Sequence, residues 1–148
     1  MPTVTMTVRG GEQLRRSLDR LAGAERRQAQ QDGLEAGIGV LETYVKLNLS
    51  RHGSGEVYRR GSKTHQASAP GEPPAPDIGN LRDSVQPGKA TPVEAILDVF
   101  AEYGPHLEFG TIHMAARPFL RPALDEHEAE IVQAVRDTVA AFVDSVRA

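Results

Sequence analysis

The chain has no cysteine and no tryptophan, and only 5% of its 148 residues are aromatic. Without thiols it can form neither disulfides nor a thiolate nucleophile, and it suits folding in a reducing cytoplasm. Scarce aromatics put the weight of the core on Leu, Val, Ile and Ala, so subunit association has room to add to a thin interior. Long hydrophobic runs are missing as well. No stretch approaches the roughly 20 apolar residues that span a membrane, and Met1-Pro2-Thr3-Val4 does not begin a basic-then-apolar leader, so neither an anchor nor an export signal is expected. The formal net charge is only −3, which argues against a general nucleic-acid binder while leaving room for local asymmetry.

What is present fits one domain over residues 1–148. Thr3 to Val8 alternates threonine with Val4, Met6 and Val8, the period of a half-buried strand, and Gly10-Gly11 ends it. Leu14, Leu18 and Leu21, then Leu34, Ile38, Leu41, Val45 and Leu49, fall at helical spacing. A break near Gly23 and a second helix to about Ser50 are expected, with Gly23, Gly33, Gly37 and Gly39 read as close-packing sites because each costs a helix roughly 1 kcal/mol relative to alanine. The mixed charges along these helices read as a solvated face.

Arg51 to Pro76 differs. Its 26 residues are rich in Gly, Ser, Pro, Arg and Lys, with Val57 and Tyr58 the only sizeable apolar side chains. A loop of this length in a small domain is functional, ordered on binding, or both. Glu56 to Arg60 and Lys63 to Ser68 can pair as a hairpin about Gly61-Ser62, a sequence suited to a type II′ turn. Pro70 to Pro76 is expected to run extended. Asp77 resembles a cap for one helical turn ending at Ser84. Val93 to Phe100 alternates as a strand, with Val85 to Lys89 as its neighbour. A final helix is expected from about Arg121, its stripe being Leu124, Ile131, Val135, Val139, Phe142, Val143 and Val146, and the helix ending near Ser50 is its natural partner. The fold expected is α+β: a small, mostly antiparallel sheet packed against a long N-terminal-half helix and a long C-terminal helix, with residues 51–76 projecting.

Enzyme chemistry finds no footing. His106, His113 and His127 stand near Glu108, Glu126 and Glu128, but no pair has the i, i+4 spacing of a helical zinc motif, and His127 fits a partly buried structural role. Ser54, Ser62 and Ser68 lack a nucleophile-elbow context, and no phosphate-binding glycine loop occurs. No catalytic residue, metal or cofactor is therefore expected.

Two runs carry a resemblance. One is Ser68-Ala69-Pro70-Gly71-Glu72-Pro73-Pro74, followed by Asp77, Gly79, Leu81 and Ser84. The other is Tyr103, then Glu108-Phe109-Gly110-Thr111, then Ala116-Arg117-Pro118-Phe119-Leu120-Arg121-Pro122-Ala123-Leu124. In that order and separation they resemble a phage head-tail joining, or tail-completion, family that contains gene product ten of a lambdoid coliphage. The departures are Gly104-Pro105, where alanine commonly follows the tyrosine, and Ile78 at a frequent threonine position.

The resemblance implies a virion structural protein of the neck of long-tailed phages, made in the host cytoplasm. It implies a homo-oligomeric ring, sixfold, between a head-closure (stopper) protein and the tail-terminator or tail-tube protein, with genome DNA passing through without sequence-specific contact. Tyr103, Phe109, Gly110, Pro118, Phe119 and Pro122 then form the core signature. Glu108, Arg117 and Arg121 are candidates for contact with an adjacent protomer, since Arg-carboxylate pairs carry direction. Arg51, Tyr58, Arg59, Arg60 and Lys63 belong to the projecting loop, as contacts for a partner or the DNA channel. Residues 51–65 balance at +3, whereas Asp125 to Arg147 balances at −4. Two alternatives stand beside this: a tail-terminator ring protein, and a small nucleic-acid-binding module that uses the basic loop.

Overall fold

A computed structural model describes Thr3–Met6 and residues 12–147. The elements among them are β1 (Thr3–Met6), α1 (Glu12–Leu18), α2 (Gly23–Asn48), β2 (Val57–Arg60), β3 (Lys63–Gln66), α3 (Asn80–Asp83), β4 (Val85–Pro87), β5 (Ala95–Val99), α4 (Gly104–Phe109) and α5 (Leu120–Arg147). Strands β1, β5 and β4 form an antiparallel sheet in that order, and β2 and β3 form a separate antiparallel hairpin. The fold is α+β, with small antiparallel sheets and two long helices.

Strand β5 is central because its alternation is the cleanest in the chain. Ala95, Leu97 and Val99 are fully buried, while Ile96 and Asp98 are half-buried on the other face. It is shorter than the sequence pattern, since Thr91 and Glu94 close a turn through Thr91 N–H to the Glu94 carbonyl (2.8 Å) and leave Val93 exposed. On one side Val85 faces Val99 and Pro87 faces Leu97, a proline being tolerable only at such an edge. On the other, Thr3 to Met6 pair with Asp98 to Ala95. The expected continuation of the first strand to Val8 lies outside the described residues.

The break near Gly23 is present: α1 ends at Leu18 and α2 starts at Gly23, where the Ala22 N–H donates to the Glu25 carboxylate at 3.1 Å. Helix α2 then touches both the sheet and α5, with α5 as its most extensive partner. Leu34, Ile38, Leu41 and Val45 share one core cluster with Val85, Leu97, Val99, Phe119, Ile131 and Val135. A second cluster joins Leu18, Leu21 and Ala29 to Val139 and Val143 near the far ends of the long helices. Helix α5 is interrupted at His127 (φ −118°, ψ 15°), which separates about two turns of helix from its long body.

The α2 glycines are not alike. A Cβ on Gly33 would lie 2.9 Å from Val139 Cγ2 and 3.3 Å from Val135 Cγ1, so this glycine does set the approach of α5. A Cβ on Gly39 meets nothing within 4 Å, and one on Gly23 reaches only the Arg27 guanidinium at 3.8 Å, so neither is a packing site. Gly39→Ala is expected to raise the urea midpoint, gaining about 1 kcal/mol of helix propensity. Gly33→Leu is expected to lower stability by about 1–3 kcal/mol through overpacking against α5.

Candidate functional site

The residues singled out above gather around the hairpin and the junction beneath it. Val57 to Arg60 pair with Gln66 to Lys63 across Gly61-Ser62. Gly61 takes φ +62° while Ser62 keeps negative φ, the sign pattern of a type II′ turn. Cross-strand pairing puts Tyr58 and Arg60 opposite His65 and Lys63 on one face, and Arg59 opposite Thr64 on the other. Arg51, Tyr58, Arg59, Arg60 and Lys63 are all exposed. Tyr58 donates to the Glu56 carboxylate (2.8 Å), which raises its pKa, with a smaller opposing effect from the Arg117 charge.

The base of the hairpin is anchored to the segments beneath it. Gly55 N–H bonds the Ala67 carbonyl (2.8 Å) and Ala67 N–H bonds the Glu56 carbonyl (2.9 Å). Backbones approach so closely that a Cβ on Gly53 would sit 2.3 Å from the Ala67 oxygen and one on Gly55 2.6 Å from the Ser68 oxygen. The Glu72 carboxylate accepts from the Ser54 hydroxyl and from the N–H groups of Ala69 (2.9 Å) and Ser54 (3.1 Å), and these bonds hold its pKa below the ordinary carboxylate value. Ala69 to Glu72 is a turn, with Gly71 at φ +85° and Glu72 N–H bonded to the Ala69 carbonyl, so the proline-rich run begins folded rather than extended.

Asp77 is not a helix cap. Gly79, at φ +84°, precedes α3, and Asp77 instead faces Arg60 (3.5 Å) and His65 (4.0 Å) from the hairpin.

Below the hairpin the second run folds into a helix that composition did not announce. Pro105 lies in the first turn of α4, and Gly104 and Glu108 face inward. The Glu108 carboxylate accepts three backbone N–H groups at the start of α5, from Phe119 (2.8 Å), Leu120 (3.0 Å) and Arg121 (2.9 Å). It therefore caps α5 from another helix and is buried, so it does not face a neighbouring protomer. Because Glu108 points inward, the next residue turns outward, and Phe109 is 70% exposed rather than core. Tyr103, at the N-cap position of α4, is 47% exposed. Phe119 is fully buried as expected, while Pro118 and Pro122 are half-buried. Gly110 adopts φ +76°, and a Cβ there would lie 2.8 Å from Ala116 N, so only glycine fits. Beyond it Thr111 and Met114 close a tight turn that leaves Ile112 93% exposed.

The two runs meet. Gly71 N–H bonds the Ala116 carbonyl (2.9 Å), and Arg117 N–H bonds the Leu107 carbonyl (2.7 Å). A cleft of about 330 Å³ lies where the hairpin base, the proline-rich run, α3, α4 and the approach to α5 converge, with Ser68, Asp77, Tyr103 and Arg117 among its walls. Arg117 is half-buried there, and Arg121 is exposed on the first turn of α5. The sequence offered little sign of the roles of Glu72, His65, Ser68 and Asp77, since each depends on segments that approach only in the fold.

His127 is half-buried and stacks on Tyr44 of α2 (ring centroids 3.3 Å apart, planes 5° apart), with its Nδ1 3.3 Å from Glu130 Oε1. Tyr44 also donates to Glu130, raising the phenol pKa and, with His127, lowering that of the carboxyl. This trio braces the α5 kink against α2. Among the described residues no three His, Asp or Glu side chains converge as a metal ion would require, and no helix is long and apolar enough to cross a membrane.

No protein-family model, no curated protein and no solved structure matches the chain.

Replacing Glu108 with alanine strands three N–H groups at a helix start, and urea unfolding is expected to show a loss of about 3 kcal/mol. Glu108→Gln, which keeps acceptor oxygen but not the charge, is expected to lose about half of that. Glu130 predicts a pH effect of definite sign. A carboxyl held below its ordinary value of 4.5 contributes stability above that value and loses it as pH falls through the folded pKa. Glu130→Gln should therefore unfold more easily than the native chain at pH 6, with the difference in urea midpoint shrinking as pH falls below 4.5.

Proposed function

We propose that the protein is a structural component of a phage neck, a subunit of a homo-oligomeric ring that completes the tail at the head-tail junction. One observation carries this: the two runs that resemble the head-tail joining family, separate in sequence, meet in a single junction, where the Gly71 N–H bonds the Ala116 carbonyl and Ser68 and Asp77 share one cleft with Tyr103 and Arg117. Residues of the runs thus depend on one another in the fold, as residues of a shared signature should.

The surface supports an assembly role. Phe109, Ile112 and Tyr103 are large, exposed and clustered in one stretch of chain, and Val57 and Tyr58 stand on the hairpin. Subunits of one kind joined by unlike surfaces close a ring when the rotation per subunit divides the circle, and sixfold closure is the expected number. In this reading the partners are a head-closure protein on one side and a tail-terminator or tail-tube protein on the other. The genome passes through the channel, and the protein resides in the virion after synthesis in the host cytoplasm.

A tail-terminator ring is the nearest rival, and copurification with tails lacking heads favours it. A nucleic-acid-binding role draws on the exposed Arg59 and Lys63; it requires salt-sensitive DNA binding by the isolated protein at physiological ionic strength.

The decisive measurement is negative-stain imaging of the concentrated protein, in which annular particles are expected and monomers alone would overturn the ring. Replacing Val57 to Gln66 by a short turn should leave thermal unfolding within a few degrees of the native chain, since these residues are almost wholly exposed. In a phage lacking the native gene, the shortened protein is expected to yield tailless heads and free tails. Normal virions would remove the hairpin from the assembly mechanism.

A further inference from the structure

Arg117 holds unspent chemistry. Its backbone is pinned by the Leu107 carbonyl, its side chain is half-buried, and its Nε is buried with no acceptor among the described residues. Among the described residues no carboxylate pairs with its guanidinium. Asp77, the acid lining the same cleft, faces Arg60 at 3.5 Å and His65 at 4.0 Å. Ser68, only 3% exposed, lines that cleft too, and among the described residues its hydroxyl has no partner. A partly desolvated cation and a buried hydroxyl, both without acceptors, cost free energy until an anion satisfies them.

We propose that this cleft is a carboxylate socket, occupied in the assembly by a glutamate from the start of α5, Glu126 or Glu128, of a second copy of this chain. The guanidinium offers the carboxylate a planar pair of donors, and the Ser68 hydroxyl offers one more. A second copy is the occupant because the chain carries its own complement. The cleft is lined by Arg82 and Arg117 against the single acid Asp77, whereas Asp125 to Arg147 balances at −4. Glu126 and Glu128 are exposed and find no cation among the described residues. A socket and its complement at different places on one chain make a head-to-tail contact, the kind that closes rings. The socket rests on the ring proposed above and names the contact that builds it.

Charge reversal in two chains tests this. The first chain carries Arg117→Glu, and the second carries Glu126→Arg with Glu128→Arg, which alters only exposed residues and leaves folding intact. Sedimentation of each alone is expected to show self-association weakened by about thirtyfold or more, because like charges then meet at every contact. An equal mixture is expected to recover native association: one interface keeps the native pair and the next carries it reversed. If the second chain alone associates like the native protein, or the mixture associates no better than either chain, the socket is overturned while the ring stands. A native chain that is monomeric at every concentration overturns the ring and the socket with it. So does binding of duplex DNA that is lost in Arg117→Glu when no self-association occurs, because the cation then serves phosphate.

Discussion

The Glu108 carboxylate is the constraint on which the lower half of the molecule depends. A helix start leaves its first N–H groups without intrahelical partners, and burial makes that costly. Here one side chain from α4 satisfies three of them at once, at Phe119, Leu120 and Arg121. That fixes where α5 begins and how α4 lies across it. The position of Arg117, two residues before the first capped group, follows from the same bonds. Gly110 allows the chain to leave α4 so closely that Glu108 can reach back, which no residue with a Cβ would permit.

The hairpin is organised from below in a comparable way. Glu72 gathers Ser54 and Ala69 with one carboxylate, Asp77 faces Arg60 and His65, and Gly53 and Gly55 let two backbones touch. A segment whose composition is that of a mobile loop thus acquires a defined base and an exposed tip. Such a tip presents side chains to a partner at less entropic cost than a disordered loop, because part of the ordering has been met within the domain.

The unequal legibility of these parts has a physical cause. Ala95, Leu97 and Val99 announce a central strand, and Leu34, Ile38, Leu41 and Val45 a helix face, because burial on one side imposes a period that each segment carries by itself. The hairpin about Gly61-Ser62 is similarly local, since the turn dictates its residues. The site was less open to such reasoning. Phe109 is exposed where an aromatic in an apolar-looking run suggests core, Glu108 is buried where a charge suggests surface, and Asp77 holds the hairpin where its position suggests a cap.

Sequence alone determined the α+β class, the two long helices, the break at Gly23 and the existence of a hairpin, all consequences of short-range periodicity and backbone preference. Tertiary structure alone decided which charges are spent inside the domain and which remain. Glu108 and Arg117 are nine residues apart and both looked available to a neighbour. Only the approach of α4 to α5 consumed the carboxylate and left the guanidinium without a carboxylate partner among the described residues, because hydrogen-bond satisfaction depends on what else arrives at the same place.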